Sequence, residues 1–261
     1  MGANLFDLTG KVAIVTGTSR GLGQSFARAL ARAGADLVLT SRRVGTLAEF
    51  QAEIEALGRK ALALPLDVRD YGSIQEMVEK AAAHYGKIDI LVNNAGCNVR
   101  KPALEVTWDD WNLVLDTNLR GTFFVAQAVA RRMIARRHGR IINIGSVAGH
   151  TAYEGGAVYC AAKAGELQIT RALRHELLGT GIRVGTVDPG LAETEFSLVR
   201  FKGDAAQAKK VYEGMNPLTA EDIAEILVWV ARRPPHVNID ELIVKPVDQA
   251  EVGKVYRRKT G

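Results

Sequence analysis

Seven short runs of valine, isoleucine and leucine recur along the 261-residue chain, each followed by a longer amphipathic stretch, and this alternation limits the fold more than any other feature. The runs predict strands over 12–16, 36–40, 61–66, 88–93, 140–145, 182–187 and 242–245. Most lack polar alternation, the pattern of strands covered on both faces. Helical spacing falls between them, over 22–33, 47–57, 74–85, 158–178 and 220–231, with 108–137 divided between two helices. Gly34, Gly58, Gly86, Gly139 and the Gly179/Gly181 pair follow helices where a C-terminal cap belongs. Alternating strands and helices imply right-handed crossovers and a parallel sheet. The expected fold is α/β, a doubly wound parallel seven-stranded sheet (Rossmann-like), in a single domain spanning 1–261. The irregular segment 190–216 follows the sixth strand and is expected to be a substrate lid, since loops after strand C-termini surround the ligand crevice.

Composition removes several function classes. No stretch reaches ~20 apolar residues without a charge, so no membrane span is expected. The start, MGANLFDLTGK, lacks a charged segment followed by a long apolar one, and Phe6 stands where a myristoylation signal needs Ser or Thr. Cys97 and Cys160 lie outside any CxxC or Cys/His cluster, so no metal or disulfide framework is expected and a reducing cytoplasm fits. The net charge is +5, concentrated in Arg131-Arg132, Arg136-Arg137-His138 and Arg257-Arg258-Lys259. The run 131–140 has no interleaved aromatics and reads as a solvated helix end rather than a nucleic-acid surface.

The first strand runs into Thr16-Gly17-Thr18-Ser19-Arg20-Gly21-Leu22-Gly23, and a helix follows. Glycines here permit a tight turn and close approach of backbone to a pyrophosphate, and the helix N-terminus adds N–H groups and a positive dipole end. At the end of the second strand a carboxylate would hold a ribose 2′-hydroxyl and repel a 2′-phosphate. This chain has Ser41-Arg42-Arg43 there, with Arg20 able to reach the same point. A guanidinium fork suits phosphate, so NADP(H) is expected over NAD(H).

Thr16–Gly23, Asn93-Asn94-Ala95-Gly96, Asn118, Ser146, Tyr159-Cys160-Ala161-Ala162-Lys163 and Pro189-Gly190 follow one another in the order seen in short-chain dehydrogenases/reductases, which the chain resembles over nearly its whole length. The resemblance implies a catalytic set of Asn118, Ser146, Tyr159 and Lys163. Reduction of a ketone leaves an alkoxide that needs a proton, and free tyrosine, with a pKa of about 10, is a poor base for the reverse reaction. Lys163 lies one helical turn after Tyr159 and is expected to lower its pKa. Ser146 is placed to donate to the carbonyl oxygen. Asn118 resembles the family asparagine that holds a relay water.

On the same resemblance, Gly17, Ser19, Arg20, Gly21, Leu22 and Gly23 take the phosphates and Ser41 with Arg42 the 2′-phosphate. Asp67 and Val68 meet adenine, and Asn94, Ala95 and Gly96 pack against the adenine-ribose side. Tyr159 and Lys163 meet the nicotinamide ribose, and Pro189, Gly190 and Thr194 the nicotinamide itself. The spacing from Pro189-Gly190 to Thr194 departs from the usual family pattern, which weakens that assignment. Asn93 reads as a support of the sheet.

Two regions point to different substrates. Residues 190–204, with Pro235-His236-Val237-Asn238-Ile239 and Lys245-Pro246-Val247, resemble NADP-dependent 3-hydroxy acid dehydrogenases such as serine and allo-threonine dehydrogenases. Residues 93–111 resemble gluconate-type dehydrogenases and 3-oxoacyl-carrier-protein reductases. Both imply a small acidic substrate, with Arg100, Arg200 and Lys202 as candidate carboxylate partners and His150 and Tyr153 beside the pocket. Trp108 and Trp111 read as core or interface packing. The resemblance implies a homo-oligomer, a tetramer foremost, formed through the helices over 108–137 and 158–178. A non-catalytic nucleotide-sensing protein on the same fold is the competing reading from another class.

Overall fold

The computed structural model describes residues 7–194, 206 and 210–258. Seven parallel strands form one sheet in the order β3-β2-β1-β4-β5-β6-β7: β1 Val12–Val15, β2 Asp36–Ser41, β3 Ala61–Pro65, β4 Ile90–Asn93, β5 Gly139–Ile144, β6 Ile182–Pro189 and β7 Glu241–Val244. Each expected strand is present, within two residues at either end. A small antiparallel ribbon, β8 Gln249–Glu251 with β9 Lys254–Val255, was not expected.

Successive residues of β1 show why the strands read as continuous apolar runs. Ala13 and Val15 join one core with Phe26, Leu30, Ile223 and Leu227, while Val12 and Ile14 join the other with Ile74, Met77, Val125 and Val129. Helices α1 Leu22–Arg32, α2 Ala48–Ala56 and α7 Ala220–Arg232 cover the first face. Helices α3 Tyr71–Tyr85, α5 Thr122–Ile134 and α6 Ala157–Glu176 cover the second. With both faces dry, no position of a central strand is left for a polar residue facing water.

The region 108–137 contains two helices, as expected, but the joint between them is a π-helical turn. Helix α4 spans Trp108–Leu115, the π turn Asp116–Gly121, and α5 follows. Helix α4 begins with a reciprocal cap, Thr107 accepting from Asp110 N–H and the Asp110 carboxylate from Thr107 N–H. Such a cap stabilises a helix by about 1 kcal/mol. Two local readings change. Gly139 opens β5 instead of capping a helix, and Arg137 is the left-handed residue there, at φ 50°. Arg140 is not part of a solvated helix end: it is 2% exposed, and its guanidinium donates to Val237 O at 2.9 Å. Neighbouring cations also find partners, Arg132 on Glu79, Arg136 on Asp89 and Arg137 on Gly179 O.

Because all seven strands run the same way, their C-terminal ends share one edge of the sheet. The order turns back between β1 and β4, which opens a crevice at that edge.

Candidate active site

The glycine turn sits in the crevice, clasped from β4. Thr16 Oγ1 accepts from the N–H groups of Asn94 (2.8 Å) and Ala95 (2.9 Å), and Asn94 Nδ2 donates to Thr16 O at 2.9 Å. A Cβ on Gly23 would lie 2.2 Å from Gly17 O, and one on Gly17 would lie 3.0 Å from Ala95 Cα. Gly17 and Gly21 both have positive φ, 73° and 59°. Gly21 leads directly into α1, whose first turn has no side-chain cap and no acidic residue. The helix dipole and N–H groups are therefore left for an anion. Thr16 and the Asn94 side chain are the parts of this device that the motif spacing alone did not reveal.

On the adenosine side, Ser41 is buried, and its hydroxyl bonds the backbone of Arg43. Ser19, Arg20 and Arg42 are exposed, and among the described residues neither guanidinium forms a hydrogen bond or ion pair. Val68 is buried, and a Cβ on Gly121 would lie 2.8 Å from its Cγ2. The Asp67 carboxylate is held by Arg69 at 2.6 Å, and that bond keeps it below its ordinary pKa. Glycine cradle, open helix start and two unpaired guanidiniums fit a dinucleotide carrying a 2′-phosphate. No carboxylate stands at the end of β2 to oppose one.

Tyr159 and Lys163 lie four residues apart on α6, both buried, with Nζ 5.9 Å from the phenol ring centroid. Ser146, two residues past the end of β5, shares a hydrogen bond with Tyr159 and accepts from Ala148 N–H at 3.1 Å. The three groups converge as expected. Burial pushes the Tyr159 phenol above its ordinary value; Lys163 pulls the other way, and burial is the larger effect. Lys163 also has partners that the sequence did not suggest. Nζ donates to Ile144 O and to Glu166 Oε2, both at 2.6 Å. Burial tends to lower the lysine, but Glu166 and Tyr159 outweigh it and hold the ammonium above its usual range.

Asn118 stands in the π turn with no exposed surface. Its Oδ1 accepts from Cys97 N–H at 2.8 Å, and its Nδ2 donates to Cys97 O at 2.7 Å, so the amide pins the loop after β4 to the π turn. A Cβ on Gly96 would come within 3.0 Å of the same oxygen. Widened turns of this kind recur at functional sites.

Loops after β4 and β5 form one wall. The Arg100 guanidinium carbon lies 5.6 Å over the Tyr153 ring, and Asn98 Nδ2 reaches Tyr153 Oη at 3.4 Å. Tyr153 packs against Ala148, Tyr159 and Cys160. His150 is engaged by Asp188: its Nε2 is 2.6 Å from Asp188 Oδ2, at the end of β6. Past β6, Gly190 N–H donates to Val244 O, and Leu191 N–H to Gln249 Oε1. Pro189 is buried, and Thr194 is partly buried. Arg200 and Lys202 lie outside the described residues.

The model of the short chain dehydrogenase family matches residues 11–204, three-quarters of the chain. The chain belongs to that family. It is 42% identical to the NADP-dependent 3-hydroxy acid dehydrogenase of Escherichia coli strain K12 over 244 residues, covering 93% of this chain and 97% of that one. The closed form of a serine dehydrogenase complexed with NADP+ superposes with a TM-score of 0.88 at 42% identity, covering 95% of this chain and all of the other. A gluconate 5-dehydrogenase from Burkholderia cenocepacia, in complex with NADP and tartrate, superposes with a TM-score of 0.83 at 34% identity, covering 92% and 95% of the two chains. The two resemblances read in different stretches of the sequence are thus both present among its relatives. Among the described residues no helix is long and apolar enough to cross a membrane, and no cluster of potential metal ligands occurs.

Proposed function

We propose that this short-chain dehydrogenase is an NADP(H)-dependent oxidoreductase that interconverts a secondary alcohol and a ketone on a small 3-hydroxy acid or 3-hydroxy amino acid. The observation that carries the reading is the meeting of Ser146, Tyr159 and Lys163 at the sheet edge that also bears the glycine cradle. The cofactor, when bound, supplies or accepts the hydride.

The side chains divide the remaining work. The Ser146 hydroxyl donates to the substrate oxygen and opposes its developing charge. Tyr159 Oη, a neighbour of Ser146, delivers the proton that turns the alkoxide into an alcohol, or removes it in oxidation. The Lys163 ammonium offsets negative charge left on the phenol. Asn118 holds the floor of the site by fixing Cys97 and, on the family pattern, positions a relay water. Gly17, Ser19, Arg20, Gly21, Leu22 and Gly23 would hold the pyrophosphate, Ser41 and Arg42 the 2′-phosphate, and Asp67, Val68, Asn94, Ala95 and Gly96 the adenosine. Tyr159, Lys163, Pro189, Gly190 and Thr194 would hold the nicotinamide end.

Arg100 supports the acidic substrate class: it is a guanidinium set over Tyr153, whose ring packs against Tyr159. Arg200 and Lys202, in a lid over 190–216, are proposed as further carboxylate partners. The E. coli relative favours 3-hydroxy acids, and the gluconate 5-dehydrogenase supports sugar acids as the second reading. Assay at the nicotinamide absorbance with serine, allo-threonine, 3-hydroxypropionate and 3-hydroxyisobutyrate, against gluconate and an acetoacetyl thioester, separates them. Activity confined to gluconate would remove the 3-hydroxy acid reading, and no NADP-linked turnover on any of the panel would count against the enzyme.

A homo-oligomer, a tetramer foremost, is the proposed assembly. Leu104, Trp108 and Trp111 are exposed on α4 and its approach, Trp108 being 79% exposed. Neither tryptophan belongs to the core, which leaves the interface half of the sequence expectation. Neither Cys97 nor Cys160 forms a disulfide, which suits a reducing cytoplasm.

A further inference from the structure

Glu166 is a carboxylate inside the core of a dehydrogenase, 1% exposed and one turn beyond Lys163 on α6. Oε2 takes a hydrogen bond from Nζ at 2.6 Å, while Oε1 is buried with no hydrogen-bond partner. The other Nζ bond goes to Ile144 O, so the ammonium is held between a carboxylate of its own helix and the last residue of β5. We propose that Glu166 is a positioning residue for the Tyr159–Lys163 pair: closing on Nζ from within the core, it offsets the lysine's charge, so that the phenol stays protonated through neutral pH and serves as the proton donor for carbonyl reduction. This rests on the oxidoreductase reading above.

Two opposite charges act on one phenol. A bare ammonium beside Tyr159 would favour phenolate, whereas a carboxylate beside that ammonium acts on the phenol with the opposite sign. The groups facing the pair come from several elements, and Cys97, on the loop after β4, lies within electrostatic reach of Lys163. Ser146 approaches from the end of β5 and Tyr153 from the following loop, and Asp188 approaches from β6, paired with His150 and Thr186. Of these, Ser146 favours phenolate, whereas Tyr153 and Glu166 oppose it. Burial pushes Glu166 up to about 7, below the range in which Tyr159 titrates. The carboxylate is therefore already charged when the phenol begins to ionise. The ratio of the two directions at one pH is fixed by the overall equilibrium. Glu166 instead moves the pH limb that both directions share, extending the range over which the reducing form is filled.

The test uses the full-length protein with Glu166→Gln, Glu166→Asp and Tyr159→Phe. The pH profile of kcat/KM is measured for NADP+-linked oxidation of whichever panel substrate turns over. The Gln variant should move the midpoint of the rising limb down by about one pH unit, a tenfold rise in phenolate at fixed pH. The Asp variant, which keeps the charge, should stay close to wild type. An unmoved midpoint in the Gln variant would overturn the proposal while leaving the enzyme reading intact. Tyrosinate absorbance of the cofactor-free protein, as wild type, Glu166→Gln and Glu166→Asp with Tyr159→Phe as the blank, gives a second readout that needs no turnover. A lower Tyr159 midpoint in the Gln variant but not in the Asp variant supports the proposal, because burial is common to all three, and a midpoint equal to wild type in the Gln variant contradicts it even if no substrate is ever found.

Discussion

Lys163 Nζ and Glu166 Oε2 lie 2.6 Å apart, on buried side chains that share one helix and stand against the last residue of β5. The lysine one turn after the phenol is thus half of an ion pair, and the pair makes the stability of the fold depend on pH. Burial raises Glu166 from an ordinary 4.5 to about 7. The folded state therefore favours its neutral form, and that contribution is present in full below about 4.5 and is lost as pH rises through about 7. Urea denaturation should show wild type losing ground to Glu166→Gln across that interval. A stability difference that is flat with pH would contradict this.

The 2′-phosphate site proposed at the end of β2 predicts where cofactor choice can be changed. Ser41→Asp with Arg42→Leu places a carboxylate where the 2′-phosphate would sit and removes one guanidinium. Charge-assisted hydrogen bonds are worth about 1.5–3 kcal/mol, so the NADPH-over-NADH preference in kcat/KM should fall by roughly 10- to 100-fold. An unchanged preference would refute the 2′-phosphate assignment.

Gly23→Ala tests the cradle. The added methyl meets Gly17 O, a backbone atom that cannot swing aside. Overpacking of this kind costs about 1–3 kcal/mol. Thermal melting should show the loss, and a fluorescence titration should show NADPH affinity reduced with it. A variant with native melting and native affinity would contradict the close approach of turn and helix.

The exposed tryptophans of α4 predict that Trp108→Glu with Trp111→Glu lowers the molar mass seen by light scattering while circular dichroism is unchanged. A wild-type monomer, or an oligomer indifferent to both changes, would rule out this face as the interface.

Strand positions were legible because strands covered on both faces leave an uninterrupted apolar signature, as Val12 to Val15 illustrates. The tyrosine–lysine pair was legible through the family resemblance and through Ser146 after an apolar strand, and the i and i+4 spacing explains why the two share a helix face. What escaped the sequence depends on packing between distant elements or on where neighbouring side chains turn. Glu166 reads in isolation as a solvated helix position, and only the packing of α6 against the sheet buries it. The same holds for Arg140, whose partner at Val237 lies 97 residues away, and for His150, captured by Asp188. The π turn carrying Asn118 leaves no mark in apolar periodicity, since the apolar residues on both sides keep helical spacing. Asp67 was read as an adenine contact; its salt bridge to Arg69 becomes visible only with the side chains in place.

The central claim is that the Tyr159 phenol is the proton donor and acceptor of the reaction, and Tyr159→Phe removes that one hydroxyl. General acid–base groups contribute about 10²- to 10⁴-fold, so kcat should fall by at least about 100-fold while fluorescence titration shows NADPH still bound. Turnover within a few fold of wild type would contradict the account.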